Sequence, residues 1–148
     1  MSIVMPIVIG LIAVTILSLI PEPHRRPFNA IFVGGAGAAY LSGFGLGYWE
    51  FVLPVVLACV AYLGLRSWTW IGVGWLLHTV WDVLHHLKGS PILPFAHDSS
   101  FGCALCDPVI ALWCFAGGPS VPGLVRARFA RSAPGRTEGM RPGRSAAG

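Results

Sequence analysis

Apolar residues run along this chain in five blocks, each closed by a short cluster of Gly, Pro or charged residues. The blocks cover about residues 1–20, 28–47, 51–65, 68–87 and 101–121. At 1.5 Å per residue, about 20 apolar residues cross a hydrocarbon core about 30 Å thick. The pattern therefore predicts an all-α polytopic transmembrane helix bundle of about five spans.

The blocks differ in detail. No Lys or Arg precedes the first, and no small-residue cleavage site closes it, so it reads as a membrane helix and not a signal peptide. Pro21, Pro23 and Pro27 then break the helix. In the second block Gly35, Ala39, Gly43 and Gly47 recur every four residues. This predicts a helical face of small side chains, suited to close packing within the bundle, with a second copy, or with a membrane partner. The third block is the shortest and carries Pro54 in its first turn. In the fifth, Asp107-Pro108 has two readings. It starts a helix, with Phe101 to Cys106 as a re-entrant piece, or it bends a single helix that begins at Ser99. Residues 122–148 are rich in Gly, Pro, Ser, Ala and Arg and read as a disordered basic cytoplasmic tail.

The fourth block, Trp68 to Leu87, is predicted to be a helix stopped by Lys88-Gly89. It is apolar in its first half and carries His78, Asp82, His85 and His86 in its second. At about 100° per residue, His78, Asp82 and His85 lie at roughly 0°, 40° and −20°, one narrow stripe with His86 at its edge. Ionisable groups at membrane depth are costly to bury and mark a site. The types and spacing suit a divalent transition metal such as Zn or Fe, with His78, Asp82, His85 and His86 as candidate ligands. In an enzyme, Asp82, His86 and Asp107 are the candidate catalytic groups, as second shell or proton carriers. Cys103 and Cys106 are candidate redox or ligand thiols. Blander outcomes stand beside these: a His78–Asp82 pair that only fixes packing, interfacial histidines in a last helical turn, and inert thiols.

Composition and charge sharpen the picture. The chain is 55% hydrophobic and 11% charged, with mean hydropathy +0.70. A water-exposed domain carries about twice that charged fraction. Ten cations stand against six acidic residues, and six of the ten lie beyond position 125. With five spans and the tail inside, nine of the ten cations share the cytoplasmic side and only Lys88 lies outside. The expected location is the bacterial inner membrane, multi-pass, with the N-terminus outside and the lipid bilayer as partner. The basic balance therefore reports topology and not nucleic acid. Phosphate-loop, dinucleotide and serine-hydrolase motifs are absent from the sequence.

The stretches WLLHTVWDVLHHLKGSPILPF (Trp75 to Phe95), SSFGCALCDPVIALWCFAG (Ser99 to Gly117) and PEPHRRPFNAIFVGGAGAAYLSG (Pro21 to Gly43) resemble an uncharacterised family of small bacterial integral membrane proteins. The resemblance covers about Met1 to Val121 and implies a membrane domain, with no activity attached. A weaker likeness is to alkaline ceramidase-like membrane hydrolases. His78 and Asp82 match that group's His-x3-Asp spacing, which would imply zinc-dependent hydrolysis. The chain departs from the group's pattern in the missing Ser-x3-His element, in adjacent His85 and His86, and in five spans where that group has seven. The functional expectation is a metal-dependent membrane hydrolase or oxidoreductase acting on a lipid-soluble substrate. The alternatives are a transporter, proton-relay or metal-handling subunit, or a structural membrane partner.

Overall fold

The computed structural model describes residues 3–41, 45–93 and 95–132. Among these residues the regular elements are α1 (Val4–Ser18), α2 (Arg25–Ala36), a 3₁₀ helix (Gly47–Phe51), α3 (Val52–Gly64), α4 (Trp68–Leu87), α5 (Ser99–Phe115) and α6 (Val121–Ser132). The fold is all-helical. Met1, Ser2, Gly43 and the last part of the expected tail, 133–148, lie outside the described residues.

Two sequence expectations change, and one choice the sequence left open is decided. The second block is helical only to Ala36; turns follow over residues 37–41. There the Ala38, Ala39 and Leu41 amides bond three residues back, to the Gly35, Ala36 and Ala38 carbonyls. The small residues therefore form no continuous face: Gly35 is in α2, Ala39 in the turns, and Gly47 at φ 62 opens the 3₁₀ helix. Glycine is a poor helix former, so a run holding Gly34, Gly35 and Gly37 is easily drawn from the helix when tertiary contacts hold the chain elsewhere. Second, of the two readings of the fifth block the single helix from Ser99 holds: α5 has Pro108 inside it, so Asp107 is a mid-helix residue and not a cap. Third, Val121 to Ser132 is helical where an unstructured tail was expected, and α6 touches α1.

Helix α4 matches the expected bounds. Its stop is a double hydrogen bond: Ser90 N–H to the His85 carbonyl at 3.0 Å and Gly89 N–H to the His86 carbonyl at 3.1 Å. Gly89 sits at φ 68, the left-handed conformation this ending requires. Helix α4 packs against α5 on one side and α3 and α2 on the other, and α1 lies against α5. Gly10 allows that last contact, since a Cβ there would stand 2.9 Å from the Cys106 carbonyl.

The ends of the bundle are distinct. At one end Arg25 is buried, its Nε–H donating to the Ile20 carbonyl at 2.8 Å and its Nη1–H to the Gly118 carbonyl at 2.9 Å. It ties the α1–α2 turn to the chain leaving α5. At the other end the 3₁₀ helix, the end of α4 and the start of α5 meet.

Apolar and polar residues are distributed against the usual order. The exposed large hydrophobics outnumber the buried core and include Ile12, Ile16, Phe32, Val55, Leu76 and Leu112. In contrast Arg25, Glu50, His78, Asp82, His85 and Asp107 are buried. Among the described residues one stretch, Gly47–Gly64, is both long and apolar enough to cross a membrane; Val4–Ser18 and Ser99–Phe115 are apolar but shorter. Helix α4 is 20 residues long, and its polar stripe lowers its hydropathy.

Candidate metal centre

The α4 stripe faces inward as its helical spacing predicts: His78, Asp82 and His85 are all buried. What meets it comes from three other segments. Helix α5 presents Asp107, the end of α2 presents the Ala36 carbonyl, and the turns after α2 present Tyr40.

His78 is the centre of the arrangement. Its Nδ1 lies 2.9 Å from Asp107 Oδ2 and 3.2 Å from Asp82 Oδ2. Its Nε2–H donates to the Ala36 carbonyl at 3.0 Å. That carbonyl also accepts from the Ala39 amide at 3.0 Å in the turn that follows α2. One ligand atom each from His78, Asp82 and Asp107 all lie within 4.8 Å of one another. The second oxygen of Asp82 accepts from the Tyr40 hydroxyl at 2.7 Å, and Tyr40 lies 2.9 Å from Ser100 Oγ. Ser100 also accepts from the Ile92 amide at 3.1 Å, which ties the α4–α5 loop to the site. The side chain of Asp82 is 0% exposed.

The charge of this group closes either with a proton held on one carboxyl or with a further cation. Two carboxyl groups face one imidazole, so even a protonated His78 leaves one acidic group without a cationic partner. A divalent ion on neutral His78 and two carboxylates closes to zero net charge, the condition a low-dielectric interior favours. His78 also has the arrangement common to metal-bound imidazoles: one nitrogen toward the ligand cluster, the other held by a backbone carbonyl that fixes ring and tautomer.

His85 and His86 stand elsewhere. His85 Nε2 lies 2.6 Å from Glu50 Oε1, and its Nδ1 lies 3.0 Å from the Trp81 carbonyl. Glu50 takes two more bonds, from Trp81 Nε1 at 3.1 Å and the Leu46 amide at 3.0 Å. This second buried pair is joined to the first through the Tyr40 ring, which stacks on His85 with centroids 3.7 Å apart. His86 is half-buried against Phe101. Cys103 and Cys106 are free thiols on α5, outside the three-residue group.

Tyr40, Ser100 and the Ala36 carbonyl were not anticipated as site groups. Ser100 carried a usable signal, since it lies seven residues before Asp107 and so on the same helical face. Tyr40 is the one large polar residue in a Gly- and Ala-rich run. The carbonyl had none, because it depends on where α2 stops.

A family model described as a family of unknown function matches residues 1–120. The chain belongs to this family, DUF6010. The DUF6010 match takes in α1 through α5 and every residue of the site. No curated protein matches the chain, and no solved structure does.

Proposed function

We propose that this chain is a multi-pass membrane protein that holds a divalent transition metal, Zn or Fe, at His78, Asp82 and Asp107. One observation carries the reading: three ligand atoms from two helices within 4.8 Å of one another, with the remaining His78 nitrogen on a backbone carbonyl. Histidine nitrogen and carboxylate oxygen suit these metals, and three protein ligands leave a position for water or substrate. In that position a bound water would serve hydrolysis of a lipid-soluble substrate, or the metal would serve its oxidation.

The membrane setting is supported by the apolar exterior around a polar interior. In this reading five spans cross the inner membrane, with Arg25, Arg66 and α6 at the cytoplasmic end and Lys88 outside. The relay alternative is less well supported. The Tyr40 hydroxyl turns to Asp82 and Ser100, while Tyr40 meets His85 only through its ring face. The hydrogen-bonded series from Asp107 therefore does not continue through it to Glu50.

Elemental analysis of the full chain in detergent tests the proposal, wild type beside Asp107→Asn. The expected result is about one equivalent of Zn or Fe in wild type, lost in a variant that remains folded. A wild-type protein that holds no metal even after reconstitution would sink it.

A further inference from the structure

Cys103 and Cys106 take no part in the site above, and they share a cavity. Between α1 and the first half of α5 lies a space of about 690 Å³, with Pro6 and Ile9 on α1, Leu93 and Ala96 in the α4–α5 loop, and both thiols on its wall. Polar side chains enter that wall only at residues 97–99, and its surface is almost wholly apolar. The volume is that of a site for one small organic molecule. Both thiols are free and half-buried. Cys59 is exposed on α3 and Cys114 is packed in the core, and neither lines this cavity.

The two thiols are also spaced to react with each other. Three residues apart on a helix, their Cα atoms stand about 5 Å apart, inside the range a disulfide accepts. Their Cβ atoms stand about 5–6 Å apart and must close to about 4 Å. Pro108 supplies that slack: it has no N–H to bond the Ala104 carbonyl, which lies between the two cysteines. The remaining mismatch gives a disulfide that is readily reduced again, as a working redox pair requires and a structural bridge does not.

We propose that Cys103 and Cys106 are a dithiol–disulfide couple whose oxidant is a lipid quinone bound in this cavity. Joining two thiols as a disulfide takes a two-electron acceptor. An apolar wall favours a neutral acceptor carried in the hydrocarbon over charged, water-borne ones such as glutathione disulfide. A quinone meets both conditions, with an apolar ring and two carbonyl oxygens that need few donors. In the step two S–H bonds break and one S–S bond forms. The two electrons pass to the quinone ring and the two protons to its oxygens, giving hydroquinone. This activity stands or falls apart from the metal site at His78, Asp82 and Asp107.

Full-length protein in detergent, reduced and freed of reductant, is mixed with decylubiquinone in the absence of oxygen. Wild type is expected to form about one hydroquinone per chain, with a Cys103–Cys106 disulfide found by peptide mapping. A Cys59→Ser, Cys114→Ser variant should match it, and Cys103→Ser and Cys106→Ser should form none. Glutathione disulfide at the same concentration should oxidise the pair at least about tenfold more slowly. A Cβ at Gly102, on the cavity wall, or at Gly35, on α2, meets no atom within 4 Å, so a larger side chain fits at either position. Gly102→Phe fills the cavity and should slow quinone reduction by about tenfold or more, beside an unchanged Gly35→Phe. Thiols that survive the quinone in wild type, or hydroquinone formed equally by Cys103→Ser, would overturn the couple. Oxidation by glutathione disulfide as fast as by quinone, or an unslowed Gly102→Phe, would overturn the bound quinone as its oxidant. If Gly102→Phe does not fold, the glutathione comparison decides the oxidant by itself.

Discussion

His78 Nε2 lies 3.0 Å from the carbonyl oxygen of Ala36, the last residue of α2. The last residue of α2 therefore fixes the orientation of the central imidazole. The same carbonyl accepts from the Ala39 amide at 3.0 Å, so it serves both the turn after α2 and the imidazole. Gly37 marks the break, and a Cβ there would stand 3.0 Å from Pro54 Cα and 3.2 Å from Leu57 Cβ. Gly37→Ala is expected to push α2 from α3, at about 1–3 kcal/mol. Thermal unfolding in detergent should show the loss, accompanied by weaker metal binding. Unchanged values of both would disconnect the break from the site.

Removing the imidazole and removing a carboxylate should act in opposite directions on the metal-free protein. His78→Ala leaves Asp82 and Asp107 facing each other without a cationic partner, at about 3–5 kcal/mol. Asp107→Asn relieves that like-charge contact, so the stripped variant should be at least as stable as stripped wild type. Both lose metal. Chemical unfolding of metal-free samples separates them, and equal losses would refute the charge imbalance.

The Glu50–His85 pair is expected to be structural. Glu50→Ala leaves His85 Nε2, Trp81 Nε1 and the Leu46 amide without their acceptor. The cost should be about 3–5 kcal/mol. Metal content should stay at the wild-type value. A Glu50→Ala protein that folds normally but loses its metal would make His85 part of the binding group after all.

Tyr40 acts on the site through Asp82. Tyr40→Phe keeps the ring against His85 and removes only the hydroxyl. Metal affinity is expected to fall about 10–100-fold, the usual effect of losing a group that orients a ligand. Competition with a chelator of known affinity would measure it. An affinity equal to wild type would mean that Asp82 needs no such support.

The proposed orientation gives a labelling pattern. In a background with the native cysteines changed to serine, Lys88→Cys should react with an impermeant maleimide on intact cells, and Arg66→Cys should react only after lysis. The reverse pattern would invert the protein in the membrane.

Some of this was fixed by local pattern. Helix α4 and its stop were legible because a 20-residue apolar run, a left-handed glycine and a following proline each act through nearest neighbours. The inward stripe of His78, Asp82 and His85 was legible too, because helical geometry alone puts them on one face. The family resemblance was carried by three short stretches and is matched over residues 1–120.

Tertiary structure decided the rest. Spacing on α4 could not distinguish His85, which pairs with Glu50, from His78, which pairs with Asp107, since both partners come from elsewhere in the chain. It could not end α2 at Ala36, because in that run the alanines favour a helix and the glycines oppose it, so contacts with α3 and α4 decide where it stops. Nor could it choose between a break and a continuous helix at Asp107-Pro108. A residue's place on its own helix is a matter of periodicity, and the sequence states it. What that residue faces depends on how the helices pack, and only the folded chain specifies that.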